Sequence, residues 1–272
     1  MTRLALLVAV AVAGCAQAPP AVDASPAPAD TTDRPPQIGP VFAGPMEADP
    51  VFDAASLVGA MSARYPGWVR TLSFDQRTHR RQPDGTISSE SAREWLAIPG
   101  RLRVERGDPT AGDGELLVGD TLYVYRGGVL AEARPDRSPI VRWGFDVHAQ
   151  DAEATLRSAQ AEGTDLDAFR TDVLDGRQMY VLGTPEAGEV WVERDRLLFV
   201  RWVESTPGGL RDVRLENHQR LGGGWVAPYV AVFDGDRLVA WQTYSDIVAD
   251  PVLDPVLFDP RRWAEGLAAT RD

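Results

Sequence analysis

Arg93-Glu94-Trp95-Leu96-Ala97-Ile98-Pro99-Gly100-Arg101-Leu102-Arg103 is the stretch that decides the fold. Residues 86–98 read as a strand carrying Trp95, Pro99-Gly100 interrupts it, and the alternating form Arg-Leu-Arg-Val-Glu-Arg follows over residues 101–106. A strand run carrying Trp95 and an alternating run, on the two sides of a turn dipeptide, read as two antiparallel strands of a hairpin. The pattern extends in both directions. Residues 69–81 alternate and meet residues 86–98 through the turn Pro83-Asp84-Gly85. Residues 115–118, 121–125 and 129–133 follow around Gly119-Asp120 and Gly127-Gly128. After residue 170 hairpin signals resume, with Asp175-Gly176, Arg194-Asp195-Arg196, Leu221-Gly222-Gly223 and Asp234-Gly235 as turns. Residues 210–220 and 224–233 each read as one strand, and residues 237–248 as the last. About eleven strands result. The expected class is mainly β (α+β), and so long a meander closes into a barrel or folds over because open edges aggregate.

Two segments break the strand pattern. Leu57, Val58, Ala60 and Met61 form a helical stripe behind Asp53 as N-cap, and Tyr65-Pro66-Gly67 ends it. Residues 138–170 form the one substantial insertion. Residues 139–145 are apolar and irregular, residues 151–161 read as a helix capped by Asp151, and residues 165–169 as a further helical turn.

The N-terminus carries a different kind of information. One Arg precedes the eleven-residue apolar run 4–14. As a helix that run spans about 16 Å, half of the ~30 Å hydrocarbon core, which fits the apolar region of a signal peptide. Val12-Ala13-Gly14-Cys15 is similar to the lipobox of bacterial lipoproteins. That resemblance implies cleavage after Gly14 and acylation of Cys15 by diacylglyceryl and fatty acyl (palmitate-type) chains. Each buried methylene contributes about 0.8 kcal/mol to such an anchor. The same resemblance implies that Ala16, standing where an Asp would retain a lipoprotein at the inner membrane, favours the outer membrane. Residues 16–50 hold nine Pro and eight Ala and keep no apolar period, so they read as an extended, disordered tether. The chain thus divides into a signal peptide 1–14, acylated Cys15 with its tether 15–50, and one folded domain 51–264.

Composition excludes whole classes of function. The 272 residues carry 28 basic side chains, all Arg, against 40 acidic ones, a net charge of −12. That balance argues against nucleic acid as a partner. A single Cys excludes an internal disulfide framework or a multi-Cys metal cluster. No Gly-x-Ser-x-Gly, His-Glu-x-x-His, Walker or dinucleotide motif occurs, and the Asp-Gly pairs lack calcium-loop spacing. We expect no enzyme activity, no cofactor and no metal site. His79 and His218 fall in expected strands, and His148, beside Asp146 and Asp151, reads as solvated or capping.

The order of helix, strands, helical insertion and strands resembles the LolA/LolB-like superfamily of lipoprotein carriers and related sensors. Three passages carry the resemblance: Trp68-Val69-Arg70-Thr71-Leu72-Ser73-Phe74, the hairpin at 93–103, and the ending Pro255-Val256-Leu257-Phe258-Asp259-Pro260. It implies an antiparallel half-barrel with a helical lid over an apolar cavity, and lipid or lipoprotein acyl chains as ligand. It further implies a place in lipid or lipoprotein transport to the outer membrane, with the protein lipid-anchored and facing the periplasm. In the carrier a strand arginine latches the lid; Arg70, Arg101 and Arg103 are the counterparts available here. Candidates for the cavity wall are Leu72, Phe74, Trp95, Leu102 and Val104, then Tyr123, and in the second half Trp191, Val200, Trp202, Val230 and Trp241. Alternation leaves open which set faces inward, and each residue reads equally as core or sheet surface. Two other readings remain: an envelope-stress sensor, similar to anti-sigma-factor regulators, that binds an envelope protein partner, and a structural lipoprotein with a filled core. A dry cavity of several hundred Å³ under the insertion separates lipid binding from a filled core.

Overall fold

The computed structural model describes residues 51–136 and 138–270. The expected signal peptide, Cys15 and the tether lie outside the described residues. Among the described residues no helix is long and apolar enough to cross a membrane.

Helix α1 (Ala54–Arg64) starts where the cap was expected. Asp53 Oδ1 accepts the Ser56 N–H at 2.7 Å and Ser56 Oγ accepts the Asp53 N–H at 3.0 Å, a reciprocal capping box. Six strands follow as a meander: β1 (Thr71–Arg81), β2 (Ile87–Ala97), β3 (Arg101–Arg106), β4 (Gly114–Val118), β5 (Thr121–Arg126) and β6 (Val129–Pro135). The insertion holds α2 (Pro139–Gly144), a 3₁₀ turn at Asp146–His148 and α3 (Ala152–Ala161). The second series comprises β7 (Phe169–Leu174), β8 (Arg177–Thr184), β9 (Gly188–Glu193), β10 (Leu198–Thr206) and β11 (Gly209–Glu216). Then come β12 (Gln219–Leu221), β13 (Gly224–Val226), β14 (Tyr229–Asp234), β15 (Arg237–Ala249) and α4 (Trp263–Ala269).

The main sheet has thirteen strands in the order β6-β5-β4-β3-β2-β1-β15-β14-β11-β10-β9-β8-β7, and every adjacent pair is antiparallel. The last strand pairs with the first, with His79 opposite Trp241 and Leu72 opposite Ala249, which joins the two meanders at the centre. Strands β6 and β7 are therefore opposite edges of the sheet, and the segment between them has to cross the sheet. That topology makes the insertion a lid.

The strand count exceeds the expected eleven: thirteen in the main sheet and a two-stranded β12–β13 ribbon. Two expected strands each divide. Asn217 takes a left-handed φ of 61° after β11, which ends the extended run. Pro228, with no N–H for the ladder, separates β13 from β14. Residues 139–144, expected to be irregular, form a helix because Ser138 Oγ accepts the Val141 N–H at 3.3 Å and Pro139 fits the first turn. Residues 165–169 are not helical. Asp165 Oδ1 accepts the Asp167 N–H at 3.1 Å in a local side-chain turn, and the chain then enters β7.

Helices α1, α2 and α3 pack on one face of the sheet, here called inner. Leu57, Val58, Met61 and Trp143 meet Leu182, Val190, Phe199 and Val213 in one core. The outer face of the first meander is also covered. Leu257, Phe258, Trp263 and Leu267 from the C-terminal segment pack on Trp95, Leu116 and Tyr125.

Candidate functional site

The strands of the first meander turn alternate residues toward the lid. Phe74 on β1, Leu96 on β2, and Leu102 and Val104 on β3 form one apolar wall. Leu215, Val226, Ala227 and Val230 come from the second series. The lid contributes Ile140, Val141 and Phe145, which close the space from above. What remains between sheet and lid is a cavity of about 60 Å³, room for only a few waters at ~10–15 Å³ each.

One strip of the wall is polar. It comprises Gln76, Glu94, Gln242 and Tyr244 on the neighbouring strands β2, β1 and β15. The Gln76 side-chain amide donates to Thr78 Oγ1 at 2.8 Å, and the Tyr244 hydroxyl donates to Gln242 Oε1 at 2.8 Å. Burial pushes the Glu94 carboxyl up to about 8, against the pull of Arg106 and with a push from Glu115. Glu94 is therefore uncharged at neutral pH. Tyr244 is also held well above its ordinary value by burial, with a further push from Glu94.

Polar contacts among the described residues tie the lid at its rim. Asp146 Oδ1 accepts the Gly100 N–H at 3.0 Å, from the turn between β2 and β3. Ser62 donates to the Gln150 carbonyl at 3.0 Å. Arg70, itself exposed, donates from Nη1 to the Ala149 carbonyl at 2.9 Å. Of the three arginines considered as latches, Arg70 is the one that touches the lid. Arg101 lies over the Phe258 ring and Arg103 over the Trp263 ring, both on the outer face.

The expected wall residues separate by face. Phe74, Leu102, Val104 and Val230 line the cavity. Leu72 is buried in the same cluster as Phe74, and Trp202 in the core under α1; neither reaches the cavity. Trp95 and Tyr123 instead stand on the outer face, in or against the cluster around Trp263. Trp241 also faces outward, packed with Tyr229 and Ala231 and stacked on His79 at 4.8 Å. Trp191 alternates with the core residues Val190 and Val192, and the Arg201 guanidinium lies 4.5 Å from its ring centre; Val200 shares its cluster at the β10 bulge.

His148 is not solvated. It is buried, its ring stacks on Trp68 at 3.9 Å, and its Nδ1–H donates to the Met61 carbonyl near the end of α1. His218 sits in the turn after β11 rather than in a strand. Burial pushes His148 down to about 4, so the ring is neutral in the fold. In the unfolded chain it takes up its proton near 6.5. The folded state binds fewer protons between these values, so this contribution to stability is present above 6.5 and is lost as pH falls toward 4. Compared with a His148→Gln variant, the wild type should lose urea stability over that window. Parallel pH profiles for the two proteins would refute this.

The residues missed at the sequence level are the polar strip and the lid triplet. Glu94 and Gln242 are sequence neighbours of Trp95 and Trp241, which therefore point to the opposite face of the sheet. In sequence Glu94 follows the polar residues 88–91 and exposed Arg93, so no local signal marked it as buried.

No protein-family model and no curated protein sequence matches the chain. Solved structures do. A LolA superfamily protein from Nitrosomonas europaea matches with a TM-score of 0.50 at 16% identity, over 77% of this chain and 98% of that one. The fold is LolA-like. A lipoprotein-sorting domain from Vibrio parahaemolyticus, described as a putative outer membrane one, matches with a TM-score of 0.53 at 13% identity, over 77% of this chain and 97% of that one. A DUF1329 family protein from Desulfovibrio piger matches with a TM-score of 0.52 at 14% identity, over 76% and 95% of the two chains. The LolA-like sheet and lid account for the cavity's position between the inner face and α2.

Proposed function

We propose that this protein is an envelope lipoprotein, anchored through acylated Cys15, that binds a hydrophobic ligand beneath its lid. The ligand is the acyl portion of a lipid or lipoprotein, and the role is binding and transfer toward the outer membrane rather than catalysis. The observation that carries this reading is the lid. Its Ile140, Val141 and Phe145 fill the space over an apolar wall, while exposed Arg70 and the Gly100 amide are among the polar ties at its rim. The cavity of about 60 Å³ does not reach the several hundred Å³ that separates lipid binding from a filled core, and on this reading it is a closed state. Binding then requires the lid to swing away. Displacing apolar side chains by acyl methylenes exchanges like for like, and each methylene taken from water adds about 0.8 kcal/mol. The LolA-like neighbours include a domain described as lipoprotein-sorting, which accords with this reading.

The test is native mass spectrometry of the folded body expressed without Cys15. A co-purifying lipid, or saturable binding of a fatty-acyl probe, is the expected result. A ligand-free protein that takes up no probe would leave the filled-core lipoprotein as the better reading. Arg70→Ala removes one exposed tie to the lid. It should strengthen apparent probe affinity by about two- to tenfold, the value of one hydrogen bond transferred to the lid equilibrium. Unchanged affinity would show that Arg70 does not hold the lid.

A further inference from the structure

The polar strip of the cavity is chemically asymmetric. The Gln76 and Gln242 amides both point at Thr78 Oγ1, at 2.8 and 3.4 Å, and the Tyr244 hydroxyl is taken up by Gln242. Those groups satisfy one another. Glu94 lines the same cavity, is largely buried, and receives no hydrogen bond at its carboxyl from another described residue, so the group faces the cavity space. A carboxyl shut beneath the lid without a partner is unfavourable. A ligand that supplied the partner would recover that cost.

The kind of partner follows from charge. Among the described residues none of the side chains lining the cavity is cationic. Arg106, which acts on Glu94 from β3, is committed to Glu90 and Glu115 at 3.3 and 3.0 Å. An anionic head group would therefore be buried without a counter-ion beside an acidic residue, which is strongly unfavourable. A protonated carboxyl offers one O–H donor, and its natural complement is a neutral acceptor.

We propose that Glu94 selects neutral acyl compounds, esters or amides, over free fatty acids, by donating its carboxyl proton to the ligand's acyl carbonyl. This rests on the lipid-binding reading and names the ligand class for the same site. The chain then runs under the lid, in the space vacated by Ile140, Val141 and Phe145. Glycerolipids and acylated lipoproteins share this carbonyl.

The purified full-length protein would be loaded with the neutral probe N-phenyl-1-naphthylamine and titrated with methyl laurate, laurate and dodecane. Laurate should displace the probe least well at pH 7, and methyl laurate should do so at about two- to tenfold lower concentration than dodecane, a preference in the range expected for one net hydrogen bond. Glu94→Gln keeps a donor of the same shape and should keep the preference. Glu94→Leu should abolish it while still binding dodecane. In the wild type this preference over dodecane should fade above pH 8, where Glu94 ionises facing Arg106, Glu115 and Tyr244, while laurate is excluded more strongly still. In Glu94→Gln it should not fade. A Glu94→Leu protein that keeps the preference, or a wild type that takes laurate as well as its ester, would overturn the proposal and leave lipid binding intact. If Glu94→Leu does not fold, the contrast in pH response decides alone. If no competitor displaces the probe from any variant, both readings fall. A diacylglycerol and a diacylglyceryl-cysteine peptide, as further competitors, should each displace better than laurate, and the stronger of the two identifies the source.

Discussion

Replacing Arg103 by alanine should lower the unfolding free energy by about 3–5 kcal/mol, the range for breaking a buried ion pair from one side. Arg103 is fully buried on β3. Its Nε donates to Glu105 Oε1 at 2.7 Å, Nη1 to the Leu257 carbonyl at 3.1 Å, and Nη2 to the Trp263 carbonyl at 3.2 Å. The guanidinium carbon lies 3.7 Å from the Trp263 ring centre. At Gly266 an added Cβ would lie 2.6 Å from Nη1, so α4 approaches this cation as closely as a helix can. One side chain thus ties the C-terminal segment to the outer face. Its removal leaves two carbonyls and the Glu105 carboxylate without that donor. Urea denaturation measures the loss, and limited proteolysis should cut within α4 before the sheet. A double change, Arg103→Met with Glu105→Leu, should recover part of the stability, since it removes the stranded carboxylate as well. A single-variant loss below about 1 kcal/mol would show that the segment is held by Trp263 and Leu267 packing alone.

Trp143→Ala is expected to cost a similar amount, about 3–5 kcal/mol, for a different reason. Trp143 is fully buried on the lid helix α2, in the core shared by α1 and the inner face of the sheet. Truncation leaves a cavity, and the lid loses its largest anchor. Trp143→Phe should cost much less. The indole N–H has no hydrogen-bond partner among the described residues, so phenylalanine removes an unsatisfied donor while keeping most of the apolar contact. The two variants separate stability from gating. Trp143→Ala should also bind N-phenyl-1-naphthylamine more strongly, because the closed lid is the state it weakens. Equal binding by Trp143→Ala and wild type would mean that the lid does not limit access.

Much of the architecture was legible in the chain because its signals are local. The Asp53 cap, the turns at Pro83-Asp84-Gly85 and Asp175-Gly176, and the strand alternation around Leu102 and Val104 all act over a few residues. The same locality hid the interruptions at Asn217 and Pro228, which lie inside otherwise strand-like runs. It also hid the face that each aromatic takes. Alternation assigns a face only when one side of a strand is wet. In β2 the run Trp95-Leu96-Ala97 is buried throughout, because the lid covers one side and the C-terminal segment the other. Both registers then look apolar, and the larger side chain, Trp95, proved to be the outer one.

Arg103 shows the same limit from the opposite side. In sequence it is one of several arginines in an alternating strand, which ordinarily means a solvated position. Its burial depends on Leu257 and Trp263, more than 150 residues away, whose backbone carbonyls supply what water would have supplied.

By itself the sequence determined the hairpins, the opening helix, the helical insertion and the expectation of a LolA-like order. Each follows from propensity, capping and turn chemistry within a short window. Only the tertiary structure decided that β15 closes on β1 and leaves β6 and β7 at opposite edges. That pairing forces the insertion across the inner face as a lid, brings Glu94, Gln242 and Tyr244 to one strip of the cavity, and turns Trp95, Tyr123 and Trp241 outward. Contacts between residues far apart in the chain depend on which strands meet, and no local pattern encodes that choice.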